Sequence, residues 1–452
     1  MKDLTKGNIM KLLIGFAVPL LIGNVFQQLY NVVDTKVVGE ILGEDALAAL
    51  GASGPIYSLI TSALVGLGNG FGIVVSKYYG AKQMERMRQA VANAACLSMG
   101  ITITITVLFQ FLLIPLLRLL NTPEEIMPRC VSYIRIILIF MIFTTAYNLC
   151  AAVLRALGNT IWPLIFLAMA MVINIGLDIM LVGVFHMDVQ GAALATIISQ
   201  AISLISCIIY IIVKCPELHL KREDFRLEMA LVGDLMGQGL AMAFMICFVS
   251  IGTLILQGAI NQFGTEIIAA HTIARKISEI FMLPFSTLSV SIATFTGQNY
   301  GAGRYDRIRV GIRNAILLSW ILATIVVLSA YTLAPILIQL ISGAKTLEVI
   351  ETAQWYIQFD TPFYYILGIL LIGRNAMQGL GRKIVPMIAS GIELLGKLIV
   401  AWVLADRMGY FGIILSEPVI WILCALLVGG VLFTDPRLRK SGKTRQKVEE
   451  QI

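Results

Sequence analysis

Four polar side chains inside apolar segments have types and spacing suited to binding a small cation. Asp34 and Asp178 each lie five residues before the expected end of an apolar helix, and Thr196 lies six residues after the start of another. At a rise of ~1.5 Å per residue, all three are expected ~7–9 Å from the same boundary. Asn174 lies four residues before Asp178 and shares its helix face. The spacing predicts a pocket lined by carboxylate, amide and hydroxyl oxygens.

This pocket suits two kinds of ion and one purely structural role. Burial and mutual repulsion favour protonation of two neighbouring carboxylates, so the pair could bind and release H⁺ as a coupled unit. The same oxygens could bind Na⁺ instead, because hard cations prefer oxygen ligands. In the structural alternative, the four side chains hydrogen-bond to one another and only hold their helices together.

The helices that carry these residues are predicted to cross a membrane. Hydrophobic residues make up 58% of the 452 residues, charged residues only 13%, and the mean hydropathy is +0.86. A soluble domain has roughly twice that charged fraction. Spanning a hydrocarbon core takes ~20 helical residues, whereas a β-barrel would need short segments of alternating polarity, which the sequence lacks. Twelve spans are predicted, near residues 10–38, 47–77, 90–117, 130–153, 161–183, 190–213, 231–262, 268–298, 312–341, 352–377, 385–404 and 410–433.

The chain repeats its own pattern at an offset of 221 residues. Gly43–Ala81 aligns with Gly264–Ala302 without a gap, and the Tyr-Gly-Ala that ends each stretch precedes a basic loop. Because six helices preserve orientation, we expect two six-helix lobes related by an axis along the membrane normal. The predicted lobes cover residues 1–213 and 231–433, joined by a cytoplasmic linker at 214–230 and followed by a basic tail at 434–452. Such a duplication is typical of transporters, although a structural membrane protein could also contain one.

The positive charges predict that both termini lie in the cytoplasm. Under that orientation 24 of the 34 lysines and arginines fall in cytoplasmic segments, as expected from the positive-inside rule. The outer loops hold four: Arg118, Arg129, Lys345 and Arg407. The net charge of +7 is therefore interpreted as an orientation signal and not as a nucleic-acid site. The chain is predicted to be a multi-pass protein of the plasma (inner) membrane.

Other residue types argue against an enzyme. The seven cysteines are scattered singly, and the three histidines lie outside any CxxC or HExxH pattern, so neither a disulfide framework nor a zinc site is expected. An intramembrane hydrolase or acyltransferase would need a nucleophile beside a base, and no such arrangement is predicted. We therefore expect no catalytic residues and no cofactor.

Further charged residues lie within the predicted spans. Glu393 and Lys397 are four residues apart and are expected to pair structurally. Asp360, just before Thr361-Pro362, is interpreted as an interfacial helix breaker. Pairing within one helix is also expected among Arg275, Lys276 and Glu279. At the repeat offset Asp34 aligns with Ile255 and Asp178 with Ile399, which favours ion coupling by the first lobe.

The sequence resembles the multidrug and toxic compound extrusion (MATE) family over nearly its whole length. The run Gln28–Thr35, followed by Val38-Gly39 and Ala46–Ala49, is similar to the opening signature of that family. The two Tyr-Gly-Ala motifs with their basic loops and the Leu154–Gly158 run agree with it. The resemblance implies twelve helices in two lobes and export of small organic compounds, often cationic or aromatic, in exchange for H⁺ or Na⁺.

The resemblance to the DinF-like branch of that family also assigns roles to residues. It places the H⁺ or Na⁺ site at Asp34, Asn174, Asp178 and Thr196. It places the substrate cavity at Gln27, Tyr30, Asn148 and Gln200 and a bend of the first helix at Pro19. We hypothesise that Asp34 couples ion entry to export. Small organic molecules and the bilayer are the expected partners, and a monomer is expected.

Two other transporter families are alternatives. A lipid-linked oligosaccharide flippase of the same superfamily usually has fourteen helices and a basic central cavity, which twelve spans and acidic pocket residues disfavour. A major-facilitator symporter should carry a glycine–aspartate–arginine pattern after its second helix, and Gly80–Gln83 lacks that aspartate.

Overall fold

The structure is a computed structural model that describes residues 2–342 and 346–438, and the described elements are all helical. Lys345 and the basic tail from residue 439 onward lie outside the described residues, so their predicted roles stay predictions. The other predicted spans can be compared with helices directly.

The first half of the chain contains seven α-helices followed by the connection to the second half. A π-helical turn, Ile179–Val184, extends the sixth helix, and two 3₁₀ turns, Pro216–Leu218 and Arg222–Phe225, form the connection. The helices are α1 (Ile9–Leu42), α2 (Glu44–Gly80), α3 (Met84–Leu119), α4 (Met127–Ile139), α5 (Met141–Ala156), α6 (Ile161–Asp178) and α7 (Val189–Lys214).

Within the residues that the structure describes, the second half contains eight α-helices. A 3₁₀ turn, Thr361–Phe363, separates the fifth of them from the sixth, and a π-helical turn, Val400–Leu404, extends the seventh. The helices are α8 (Met229–Ile260), α9 (Thr265–Gly301), α10 (Tyr305–Thr332), α11 (Ala334–Ser342), α12 (Leu347–Asp360), α13 (Tyr364–Gly379), α14 (Ile384–Ile399) and α15 (Ala405–Thr434).

The twelve predicted spans coincide with these helices. Within the described residues nine helices are long and apolar enough to cross a membrane, or ten when α4 and α5, bent by 50°, form one span. One of the nine is the 51-residue stretch Ile384–Thr434, which is long enough for two crossings. It is interrupted at Gly409, where φ is 60°, between the last two predicted spans. The remaining predicted span corresponds to α12 and α13 with the short turn between them.

The structure reproduces the sequence repeat as a repeat of elements. Both α2 and α9 contain 37 residues, and each follows a glycine with a positive φ, 83° at Gly43 and 88° at Gly264. Glycine adopts this left-handed conformation without a side-chain penalty, which lets the chain reverse within one or two residues. The two π-helical turns also begin 221 positions apart, at Ile179 and Val400. The duplication therefore extends to helix starts and helix irregularities.

The contacts divide the chain into two compact units. The first unit comprises Met1–Lys6 and Ile14–Ile251, and the second comprises Gly7–Leu13 and the chain from Gly252 onward. The division falls inside α8 and not in the predicted linker. The assignment of residues 1–213 and 231–433 to two functional lobes, and the axis relating them, stay predictions. Within the first unit the linker is attached to α3, because Arg88 pairs with Asp224 at 3.5 Å and the Asn93 amide donates to the carbonyl of Arg226 at 3.1 Å.

Small residues allow α2 and α8 to pack closely in the first unit. A Cβ atom at Gly70 would lie 2.6 Å from the carbonyl oxygen of Gln238 and 2.6 Å from the Cα of Gly239. Both neighbours are backbone atoms, so a side chain at Gly70 could be accommodated only by moving one helix away from the other. Close approach of this kind is how membrane helices gain packing contacts without a hydrophobic driving force.

We expect Gly70→Ala to lower the free energy of unfolding by ~1–3 kcal/mol, the usual cost of overpacking. Gly51→Ala on the same helix is the matched control, because nothing lies within 4 Å of a Cβ atom there. The control should unfold like the wild type or slightly later, since alanine favours the helix over glycine. Thermal unfolding in detergent micelles measures both, and equal midpoints for the two variants would contradict the close contact.

Candidate ion-coupling site

Three helices of the first unit bring the predicted ion-site residues together. Asp34 lies on α1, Asn174 and Asp178 lie at the end of α6, and Thr196 lies on α7. Asn174 and Asp178 are fully buried. With its amide oriented to satisfy both neighbours, Asn174 donates to Asp178 Oδ2 at 2.9 Å and accepts from the backbone N–H of Thr196 at 3.1 Å. Asn174 thus connects the carboxyl group on α6 to the backbone of α7.

The two carboxyl groups lie within hydrogen-bonding reach of each other. Asp34 and Asp178 interact directly through their side chains, and two carboxyl groups can share a hydrogen bond only when one is protonated. Oδ1 of each residue is buried and has no hydrogen-bond partner among the side chains that the structure describes. Buried acceptors of this kind are costly unless they bind something. A proton or a hard cation would satisfy them.

The helix around Asp178 departs from α-helical geometry. The π-helical turn Ile179–Val184 begins directly after it. A π-helical turn carries one more residue than an α-turn, and such turns are frequent at functional sites. The wider turn falls where Asp178 must face α1 and Asn174 must face α7. Sequence spacing predicted the depth of these residues but not this local widening.

A small cleft lies in the first unit next to the carboxyl pair. It is lined by Phe26, Gln27 and Tyr30 of α1, Leu167, Ala170 and Met171 of α6, and Ser199 and Gln200 of α7. Tyr30 connects the cleft to the ion site, because its side chain interacts with Thr196 and lies close to Asp34. Three of the four residues predicted for a substrate cavity line this cleft: Gln27, Tyr30 and Gln200.

Asn148 is the residue that does not line the cleft. It lies on α5, and its amide donates to the backbone carbonyl of Thr144, one turn earlier on the same helix, at 2.9 Å. A polar side chain in an apolar helix often satisfies itself on its own backbone in this way. Asn148 therefore does not line this cleft, and its assignment to the substrate cavity stays a prediction. Pro19 lies within α1, whose helix continues from Ile9 to Leu42, and the functional bend expected there stays a prediction.

We expect Asn174→Leu to destabilise the first unit by ~1–3 kcal/mol, because it leaves buried polar groups of α6 and α7 without their partner. Asn148→Leu is the matched control, since that amide bonds only within its own helix among the described contacts. Its loss should cost less than ~1 kcal/mol. Thermal unfolding of the two variants in the same detergent provides the measurement. Equal losses would mean that Asn174 does not hold the two helices together.

The second unit contains a buried network of ion pairs. Arg374 donates to Glu393 at 2.9 Å, and Lys397 lies 3.5 Å from Glu393 and 3.6 Å from Glu417. The same Glu417 accepts from Arg275 through both of its oxygens, at 3.0 and 2.9 Å. The expected pairing of Glu393 with Lys397 is confirmed, but it is one link of a five-residue chain. Each charge in it has a partner of opposite sign, as burial requires.

One expectation for the second half is corrected by this network. Arg275 pairs with Glu417 on α15 and not with Glu279 on its own helix, because a buried carboxylate faces it across the helix interface. Asp360 ends a helix, as predicted, and its side chain is buried within the protein, whereas its expected position at the membrane interface stays a prediction. It is 1% exposed, and neither carboxyl oxygen has a hydrogen-bond partner in the described structure. Sequence reasoning assigned no partner to Glu417 or Arg374, which were visible only as charges inside predicted spans.

The geometry can be compared with known proteins. The MatE family model matches this chain twice, over residues 19–180 and 241–403. The two matches begin at nearly the same offset as the internal repeat and together cover more than half of the chain. This chain belongs to the MatE family. MatE proteins are transporters, so the chain is a transporter and not an enzyme.

Relatives of this MatE protein match over much or all of its length. It is 30% identical over 307 residues to the probable multidrug resistance protein YpnP of Bacillus subtilis, covering 68% of each chain. It is 25% identical over 425 residues to YoeA, a probable multidrug resistance protein of the same organism, covering 92% of this chain and 91% of YoeA. An outward-facing structure of a multidrug resistance MATE transporter superposes with a TM-score of 0.87 at 21% identity, covering 97% and 98% of the chains. The predicted all-helical, twelve-span membrane fold is confirmed. The DinF-like branch stays a prediction.

Proposed function

We propose that this MatE transporter exports small organic compounds in exchange for an inward-moving H⁺ or Na⁺, and that Asp34 and Asp178 bind the coupling ion. The observation that carries the proposal is the pair of neighbouring carboxyl groups beside a cleft lined by aromatic, apolar and amide side chains, joined to it by Tyr30. The relatives named as multidrug resistance proteins support the direction of transport. They do not favour the flippase alternative.

The chemistry of the exchange follows from the charge of the pair. Two ionised carboxylates at close range repel each other in a poorly hydrated interior, so uptake of one cation relieves that repulsion. The cation satisfies the unpartnered Oδ1 atoms, and its release restores the repulsion. One charge moving across 100 mV supplies ~2.3 kcal/mol, which is enough to drive export against a concentration gradient.

One face of α1 carries both the carboxyl group proposed to bind the ion and side chains that line the cleft. Tyr30 lies four residues before Asp34 on α1, and Gln27 lies seven before it, so all three share one face of the helix. A change in charge at Asp34 therefore acts on the same helix that lines the cleft. We propose that α1 bends near Pro19 when the charge changes, because that residue removes one hydrogen bond from the helix ladder.

Reconstituted vesicles test this function. Purified protein is placed in liposomes loaded with a fluorescent cationic dye, and an inward H⁺ gradient or an inward Na⁺ gradient is imposed separately. We expect gradient-dependent dye efflux with one of the two ions and unchanged dye recovered outside. Efflux that is equal with and without both gradients would refute antiport. Chemical conversion of the dye would refute transport as the primary activity.

A further inference from the structure

Two cysteines of the first unit lie against each other across a helix interface. Cys150 is on α5 and Cys207 is on α7, and these two helices pack together. Cys150 lies six residues before the last residue of α5, and Cys207 lies seven before the last residue of α7. At a rise of ~1.5 Å per residue, each is ~9–11 Å from the end of its helix. The two side chains therefore meet at one depth, and they interact directly.

Other buried cysteines of the described chain use their thiol groups differently. Cys130 donates from Sγ to the backbone carbonyl of Ala49 at 3.4 Å, and Cys424 donates to that of Ala389 at 3.2 Å. Such thiols pack as small apolar groups with one weak donor. The partner of Cys150 is instead a second thiol, and both cysteines of this pair are reduced. Two adjacent thiols have a chemistry that a single one lacks, because they can be oxidised to a disulfide.

The surroundings of the pair favour that reaction. Cys150 is partly exposed, whereas Cys207 is fully buried, so a small oxidant meets Cys150 first. Arg155, five residues after Cys150 on α5, lies within electrostatic range of Cys207. The Arg155 guanidinium is held there by a hydrogen bond from Nη2 to Asn69 Oδ1 at 3.0 Å. A fixed cation beside a thiol favours the thiolate, which is the nucleophile in disulfide chemistry.

We propose that Cys150 and Cys207 form a reversible redox site, in which a hydroperoxide converts the two thiols to a disulfide that stops export until a free thiol reduces it. In the first step the Cys150 thiolate attacks a peroxide oxygen, the O–O bond breaks and a sulfenic acid forms. The leaving oxygen takes up the proton that Cys150 lost.

The second step closes the disulfide. The Cys207 thiolate attacks the sulfur of the sulfenic acid, so that the S–S bond forms and the S–O bond breaks. The departing hydroxide takes up the proton of Cys207 and leaves as water. The peroxide gains the two electrons that the two thiols lose. Thiol–disulfide exchange with a small free thiol restores both cysteines.

A covalent bond between α5 and α7 restricts the movement of both helices. Packed helices slide past one another by small distances during conformational changes, and a disulfide at their interface prevents that sliding. The same α7 carries Thr196, whose backbone N–H donates to Asn174 of the candidate ion site. Oxidation therefore immobilises a helix of that site. The effect on export rests on the proposed function, whereas formation of the disulfide does not.

Peptide mass spectrometry and dye efflux on the same samples provide the test. The purified transporter is treated with hydrogen peroxide, its remaining thiols are alkylated, and its peptides are compared before and after reduction with dithiothreitol. We expect the peptides of Cys150 and Cys207 to be linked, two hydrogen atoms lighter than the reduced pair, and to separate on reduction. In Cys207→Ser, Cys150 should stop at the sulfenic acid and react with dimedone. In vesicles, gradient-driven dye efflux should fall in proportion to the linked fraction and recover with dithiothreitol.

Single serine variants separate the pair from the other cysteines. Cys150→Ser should export dye like the reduced wild type and keep that rate after peroxide. Cys130→Ser is the matched control, because its thiol bonds to a backbone carbonyl, and it should remain as sensitive to peroxide as the wild type. Cys150 and Cys207 that both stay alkylatable after peroxide, or unchanged efflux from fully linked protein, overturn the proposal. Absence of export by the reduced protein would instead count against the proposed function, since the linked peptides are detected without transport.

Discussion

Asp34→Asn is expected to abolish ion-driven accumulation while leaving the protein folded. The substitution keeps the size and most hydrogen bonds of the side chain but removes the charge that we propose binds the coupling ion. Loss of one coupled charge removes ~2.3 kcal/mol of driving force per 100 mV. That energy corresponds to roughly a 50-fold fall in the concentration ratio the transporter can maintain. Dye efflux by wild type and variant under separate H⁺ and Na⁺ gradients provides the measurement.

A surface carboxylate provides the control for Asp34→Asn. Asp45 lies at the start of α2, and its side chain is 83% exposed and 3.8 Å from Arg129. Asp45→Asn should keep gradient-driven efflux close to the wild-type rate. Asp34→Asn should still let dye equilibrate down the gradient of the dye itself, which shows that the cleft remains accessible. Full gradient-driven export by Asp34→Asn would refute the role of the carboxyl pair.

Glu417→Gln is expected to cause the largest loss of stability of any substitution considered for the second unit. Glu417 has a 7% exposed side chain and neutralises both Arg275 and Lys397. The substitution removes the negative charge of Glu417, so the buried cations Arg275 and Lys397 both lose a carboxylate partner. Breaking a buried ion pair in this way costs ~3–5 kcal/mol of unfolding free energy. Unfolding in detergent, followed by tryptophan fluorescence against denaturant concentration, measures the change.

A double substitution and the disruption of an exposed ion pair serve as controls for Glu417→Gln. Arg275→Met combined with Glu417→Gln should recover part of the stability lost in Glu417→Gln, because one orphaned cation is removed with its partner. Glu40→Gln breaks the pair of Lys36 and Glu40, whose side chains are 72% and 69% exposed. Its cost should stay below ~0.5 kcal/mol. Similar losses for Glu40→Gln and Glu417→Gln would contradict the importance of burial.

The clustering of the candidate ion-site residues was largely predictable because these residues follow helix geometry. Counting residues from the helix ends placed Asp34, Asp178 and Thr196 at one depth, and the four-residue spacing placed Asn174 on the face of Asp178. Depth and face are properties of a single helix, so the sequence contains them. The rotation of each helix about its axis is set by packing between helices. Asn148 shows the limit of this reasoning. Its position along α5 gave no information about whether its amide would line the cleft or hydrogen-bond to the backbone of its own helix.

The ion pairs of the second unit were harder to predict for a related reason. Glu393 and Lys397 are four residues apart, so one helix determines their contact. Arg275 and Glu417 are 142 residues apart, and nothing local in either segment identifies the other as its partner. Local spacing favoured Glu279 for Arg275, and tertiary packing overrode it. A search for charges without local partners in predicted spans would have identified Arg374 and Glu417 as residues that need distant partners.

The paired π-helical turns suggest how the two halves diverged. Each begins at the same point of the repeat, after Asp178 in the first half and after Ile399 in the second. An extra residue inserted into a helix rotates every later side chain about the helix axis. Gaining or losing such a residue during evolution therefore disturbs the packing of that helix against its neighbours. Both halves have the backbone irregularity, although the second carries isoleucine where the first carries the acid. A single substitution, Ile399→Asp, would therefore place a carboxyl group directly before the second π-helical turn, as Asp178 lies before the first.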